Sequence, residues 1–168
     1  MLKSLMDVLV TKNEGIIRAW VRKVRESPNL ISYNCLSDDE LQNLNYDIYK
    51  ILARWIEREI DKNALGSFFV EFGKQRRIAG FPVSEVTYAM LLAQRSVIEY
   101  LTNESIVDNS MALYQILNVT KQVADFFFLG SYYMMKGYLE DIYVALNRDQ
   151  SMPDDVLKKY LADDFFFK

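Results

Sequence analysis

The sequence predicts an all-α protein of about five main helices, the last of which is long. Only three prolines and six glycines occur in 168 residues, too few for an all-β chain that turns every 8–12 residues or so. Aromatic residues make up 14% of the chain and provide apolar area for helix packing. The length and a hydrophobic content of 51% predict one domain at 1–150, followed by a short helical tail at 151–168.

The first two helices are marked by their ends. We expect the first to cover 2–26, with an interruption near 13–15 left open, and to stop ahead of Ser27 because the following Pro28 disfavours helical angles. Ser37 and Glu40 have the spacing of a capping box that opens the second helix. Its apolar stripe predicts a helix that runs to about Asp61. The stripe consists of Leu41, Leu44, Ile48, Ile51, Leu52, Trp55, Ile56 and Ile60.

A corner separates the third helix from the fourth. Gly80 suits the left-handed angles of a helix end, and Pro82 suits the first turn of the helix that follows. Gln94 interrupts the apolar face of this fourth helix, which otherwise consists of Val83, Val86, Met90, Ala93, Val97 and Leu101. The fifth helix should start near Asp108 or Asn109 and continue to about 147. A last short helix should start at Pro153.

The length of the fifth helix predicts an assembly. Forty helical residues span roughly 60 Å, whereas a compact chain of this size has a radius of gyration of about 15 Å. The helix must therefore kink, at Gly130 or Gly137, or project and pack against a second chain. We favour projection, because apolar residues surround its axis. The expected homodimer interface contains Gly130, Tyr133, Gly137 and Tyr138. Alternatively, the first helix and the C-terminal phenylalanines cover this surface within one chain.

Composition excludes most catalytic and membrane chemistry. The chain has no histidine, which removes imidazole-dependent nucleophiles and the common zinc, di-iron and haem sites. No phosphate-binding loop occurs, so we expect neither an enzyme nor a bound cofactor or metal. A net charge of −3 disfavours nucleic-acid binding. The longest apolar run, FFFLGSYYMM at 126–135, is half the ~20 residues that a bilayer requires, and the single Cys35 fits the reducing cytoplasm.

Several stretches together carry a resemblance. They are AW at 19–20, LSDDEL at 36–41, AGFPVSEVTY at 79–88, LL at 91–92, and Arg95. In these, roughly over residues 10–147, the chain resembles RsbRD-type N-terminal sensor domains, which are related to the non-haem, globin-like N-terminal domains of stressosome RsbR proteins. The resemblance implies a globin-like bundle and dimeric sensing without catalysis.

It also implies that the long helix passes a signal to a STAS or histidine-kinase type partner. No output domain follows this helix in the sequence, so a stand-alone regulator and a fragment of a longer protein are both open. A second hypothesis is a module that binds a small molecule between its helices. Tyr88, Gln94 and Arg95 would then supply the polar groups, because a buried amide such as that of Gln94 must find partners. Alternatively, Gln94 bonds to a neighbouring group.

Overall fold

The computed structural model describes residues 13–104 and 110–149, residue 153 and residues 155–156. These residues contain no strand, so the predicted all-α class is confirmed. The predicted helical turns at 2–12, most of the tail helix and the terminal phenylalanines lie outside the described residues. The helices are α1 (Asn13–Arg25), α2 (Ile31–Asn34), α3 (Asp38–Ile56), α4 (Lys62–Ile78), α5 (Val83–Glu104) and α6 (Ser110–Arg148).

The α1 helix ends where the sequence predicts. Its last residue is Arg25, and the Ser27 hydroxyl donates to the carbonyl oxygen of Lys23 at 2.7 Å. The Arg25 guanidinium then reaches forward to the start of α3. It donates to the carbonyl oxygen of Leu36 at 2.6 Å and to the carboxylate of Asp38 at 2.7 Å. This single side chain therefore fixes the connection between α1 and α3.

The predicted capping box at the start of α3 is confirmed. The backbone N–H of Ser37 donates to the Glu40 carboxylate at 2.7 Å, and the backbone N–H of Glu40 donates to the Ser37 hydroxyl at 3.3 Å. Two of the N–H groups that a helix start leaves unpaired are thereby satisfied. The backbone N–H of Ser37 and also its hydroxyl donate to the Glu40 carboxylate and lower the pKa of this carboxyl.

The predicted end of this helix near Asp61 is wrong, because α3 stops at Ile56. Arg58 adopts a left-handed backbone conformation with φ of 59°. Its N–H donates to Trp55 O at 3.1 Å, and the Glu59 N–H donates to Arg54 O at 2.9 Å. This is a Schellman motif, which commonly has glycine at the left-handed position. An arginine there gave no signal in the sequence.

The same motif, with glycine, forms the predicted corner after α4. Gly80 has φ of 83°. The N–H of Phe81 donates to Arg76 O at 3.0 Å, and Pro82 accepts from the N–H of Val86 at 3.1 Å as α5 begins. The corner at Gly80 is therefore confirmed.

Two aromatic groups form much of the core. In one, Tyr33 lies edge-on to Trp20 and to Phe81, with ring centroids 6.3 and 4.8 Å away. In the other, Phe126 of α6 lies edge-on to Phe69 of α4 at 5.3 Å. Such pairs contribute about 0.5–1.5 kcal/mol beyond area burial. The first group joins α1, α2 and the α4–α5 corner, and the second joins α4 to α6.

The α6 helix is continuous for 39 residues, as the sequence predicts, and it crosses α4 at very short range. A Cβ atom added to Gly73 would lie 2.1 Å from the carbonyl oxygen of Met134, and one added to Gly137 would lie 1.9 Å from that of Val70. The two backbones are therefore in direct contact. Lys74 and Glu140 add an ion pair of 2.9 Å beside the crossing.

Candidate functional site

The three residues predicted to form a polar ligand site do not converge. Tyr88 is exposed and lines a shallow depression with Asn29 and Glu85. Arg95 is exposed, and its Nε donates to Glu99 at 2.7 Å. Only Gln94 lines the groove between α5 and α6. Tyr88 and Arg95 are seven residues apart and therefore lie on the same face of α5. Gln94 is adjacent to Arg95 in sequence, so it points about 100° away from that face.

Three of the four residues expected at a dimer interface lie instead against helices of their own chain. Gly130 and Gly137 face α4 of their own chain, at Phe69 and Val70 respectively. Tyr138 is buried, and its hydroxyl donates to the Phe81 carbonyl oxygen at 2.5 Å. These three residues therefore hold the chain's own helices together. The fourth, Tyr133, is half-buried and packs partly against the core.

A different surface of α6 is exposed and apolar. Side chains at intervals of three and four residues form a stripe along the helix, as they do in coiled coils. The stripe is apolar at 111–117 and at 128–135, with the exposed Lys121 and Asp125 between the two parts, and α5 adds Leu91 beside it. The most exposed are Phe128 at 77%, Tyr114 at 70% and Met111 at 66%. We call this surface the α5–α6 face. Its large exposed side chains are Leu91, Met111, Tyr114, Leu117, Phe128, Tyr132 and Met135.

A groove of about 990 Å³ lies between the two helices along the part of this face that 124–135 of α6 form. Leu91 and Thr87 line one wall, and Phe128 and Met135 line the other. Asp125 is the one ionisable carboxylate in its lining, and the exposed Lys121 lies one turn before it on α6. The groove is therefore mostly apolar and carries very little charge.

A second site lies inside the bundle, where α1, α2, α3, α4 and α5 meet. Trp20, Tyr33, Asn45 and Arg76 line a small cavity there. The Trp20 indole donates to the Ala89 carbonyl oxygen at 2.9 Å. Burial raises the pKa of Tyr33 to about 12, an effect that the nearby Arg76 partly offsets.

Two polar groups of this cavity lack hydrogen bonds. Asn45 is only 1% exposed, and neither atom of its amide has a partner in good hydrogen-bond geometry; the same holds for the buried Nε of Arg76. The amide lies close enough to the Tyr49 hydroxyl to oppose the rise that burial causes in that group's pKa. The Arg76 guanidinium lies over the rings of Phe72 and Phe81, at 4.7 and 5.6 Å, and its pKa is lowered by burial.

The described residues contain neither a metal-binding cluster nor a membrane-spanning helix. Residues 13–104 and 110–149 contain no cluster of three or more cysteine, aspartate or glutamate side chains placed to hold a metal. No helix in the same parts of the chain combines the length and apolar character needed to cross a membrane. The cytoplasmic location stays a prediction.

Comparison of the chain with protein-family models, with curated proteins and with solved structures gives no match. The resemblance to RsbRD-type sensor domains therefore stays a prediction, as does a globin-like arrangement of the helices.

Proposed function

We propose that this chain is a non-catalytic sensory or regulatory domain that works as a homodimer through its α5–α6 face. The long α6 helix then carries a signal to a partner, for which the sequence resemblance suggests a STAS or histidine-kinase type module. The observation that carries the proposal is the exposed apolar stripe on α6, because soluble monomers rarely leave such a surface uncovered.

The area of the face suits a dimer. At about 150–250 Å² for a large side chain, its exposed residues present on the order of 700 Å². A stable interface of standard size buries about 800 Å² on each partner. Thr87 and Ala124, which lie in the groove beside these residues, add to the contact.

The pattern of the face favours a second copy of the same chain as the occupant. In an antiparallel pair of α6 helices centred on the turn at Val123, Tyr114 lies opposite Tyr132 of the other copy. Met111 likewise lies opposite Met135, and Lys121 lies opposite Asp125. A two-fold axis forms each of these contacts twice. The only two charges of the stripe thus meet as opposite charges, which supports this register.

Sedimentation at micromolar concentration tests the dimer. Wild-type protein should sediment as a dimer, whereas Phe128→Glu should give a folded monomer, because two carboxylates would be buried in the interface without partners. Ile78→Glu is the matched control: Ile78 is 72% exposed at the end of α4, and this variant should stay dimeric. A wild-type monomer at tens of micromolar, or a dimeric Phe128→Glu, would contradict the proposal.

Charge reversal tests the register. Lys121→Asp should raise the dissociation constant at least about tenfold, because it places two carboxylates opposite each other. Adding Asp125→Lys to the same chain restores an opposite-charge pair, so the double variant should recover most of the affinity. If it dissociates as readily as the single variant, the antiparallel register is wrong, even though the face could still be the interface.

The groove also gives the second candidate, a small-molecule binding module, a specific basis. Its volume of about 990 Å³ and its few polar groups, including Gln94 and Thr87, resemble ligand pockets of about 300–1,000 Å³. Native mass spectrometry distinguishes the two functions. A monomer that carries an apolar ligand, which Gln94→Leu or Leu91→Glu displaces, would favour ligand binding. A ligand-free dimer favours the first proposal.

A further inference from the structure

The small cavity among α1, α2, α3, α4 and α5 is separate from the α5–α6 face and has a chemistry of its own. Asn45 is the least exposed amide side chain in the described core, and both of its polar atoms lack hydrogen bonds. A buried polar atom without a hydrogen bond costs about 1–3 kcal/mol. Three such atoms, counting the Nε of Arg76, would be a large penalty in one place.

The size of the cavity limits what can satisfy them. The centre of a water-sized molecule can move within only about 10 Å³ there, roughly the space that one water molecule requires. An organic ligand or a second water does not fit in this space. The rings of Trp20 and Phe72 form part of the wall, and the Trp20 indole N–H is already bonded to the Ala89 carbonyl oxygen.

The polar groups decide the chemistry of the guest. The Oδ1 atom of Asn45 accepts hydrogen bonds, whereas its Nδ2 and the Nε of Arg76 donate them. The guest must therefore both donate and accept. An anion such as chloride would satisfy the donors and leave Oδ1 unpaired, and an apolar gas molecule would satisfy none of them.

We infer that the cavity is a binding site for one ordered water molecule that is held by the Asn45 amide and the Arg76 guanidinium. Buried waters typically make about three hydrogen bonds, and the Asn45 amide and the Arg76 Nε together offer three polar atoms. The water joins α3 to α4 at the point where five helices meet. The inference does not depend on the dimer.

Nuclear magnetic resonance of the wild-type protein provides the first test. The side-chain NH₂ of Asn45 and the Nε–H of Arg76 should show cross-peaks to a water that stays bound for longer than a nanosecond or so. Titration with sodium chloride should leave both resonances in place. A saturable chloride-dependent shift of the Nε–H would mean that the guest is an anion. Absence of both effects, with the amide bonded to the Tyr49 hydroxyl, would mean that no guest is bound.

A pair of variants gives the second test. Asn45→Leu removes the amide, so oxygen-17 relaxation dispersion should count one fewer long-lived water than in the wild type. Asn43→Leu, on the exposed side of the same helix, should leave the number unchanged. An unchanged number in Asn45→Leu would overturn the inference, and if that variant does not fold, the wild-type cross-peaks still decide it.

Discussion

Replacement of Gly137 by alanine tests the contact that holds α6 against α4. The added Cβ would lie 1.9 Å from the carbonyl oxygen of Val70 and 2.7 Å from its carbonyl carbon. Ordinary contact begins at 3.4 Å, so the two backbones must separate by more than an ångström. A side chain could rotate away from such a clash, but a carbonyl group within a helix cannot.

Two effects of opposite sign determine how much Gly137→Ala changes the free energy of unfolding. Alanine is more favourable than glycine inside a helix by about 1 kcal/mol. Overpacking costs about 1–3 kcal/mol where side chains can shift, and a clash between two backbones falls at or above the upper end of that range. Separation would also weaken the Lys74–Glu140 pair and the hydrogen bond from Tyr138 to Phe81. We expect a net loss of about 2 kcal/mol or more, which corresponds to about 5 °C or more in Tm for a chain of this size.

Urea unfolding followed by circular dichroism measures this loss, with Gly15→Ala as the control. A Cβ on Gly15 would meet only the Tyr100 ring, at 3.2 Å, so that variant should change the free energy of unfolding by less than about 1 kcal/mol. Gly73→Ala should resemble Gly137→Ala, because its Cβ meets the Met134 carbonyl oxygen at 2.1 Å. If Gly137→Ala is as stable as the wild type or more so, α4 and α6 are not in backbone contact.

Two further predictions concern helix ends. Arg58→Gly should raise the free energy of unfolding by about 1 kcal/mol, because glycine adopts the left-handed conformation without the cost that a side chain incurs. Gly80→Ala should lower the free energy of unfolding by a similar amount. Thermal unfolding that ranks the two variants the other way would contradict both left-handed assignments. Hydrogen bonds from Ser37 hold the pKa of Glu40 below its ordinary 4.5, so the stability they contribute is present above pH 4.5 and lost as the pH falls through the lower folded-state pKa. The loss of stability below pH 4.5 should therefore be shallower in Glu40→Gln, and an unchanged slope would mean that the capping box does not form in solution.

Helix starts and ends could be predicted where a residue has a strong local preference. Ser37 with Glu40 indicated a start, and Gly80 with Pro82 indicated a corner, because each acts on backbone groups within a few residues. The end of α3 could not be predicted in this way. Arg58 has no preference for left-handed angles, and it adopts them because the chain must turn there to begin α4 at Lys62. Tertiary packing outweighs the local preference at this position.

The candidate sites were harder to predict because their residues come from different helices. Gln94 stands out in the sequence as a polar residue in an apolar stripe, and it lines the groove. The sequence could not show that Tyr88 and Arg95 lie outside that groove. Asn45 also gave no signal, since an asparagine between Leu44 and Tyr46 is common on an exposed helix face. Its burial follows from the way α3 is rotated against α1 and α5.

The two glycines of α6 show why an apolar helix does not by itself reveal its partner. Gly130 and Gly137 are seven residues apart and allow close approach, which fits a second chain and fits α4 equally well. The structure places α4 against them, so that side of α6 is already covered. The stripe that includes Tyr114, Phe128 and Met135 lies on another side of the same helix, and the described helices leave it exposed. A helix with two apolar sides needs two neighbours. Since α4 and α5 cover one side from within the chain, a second copy is the neighbour that we propose for the other.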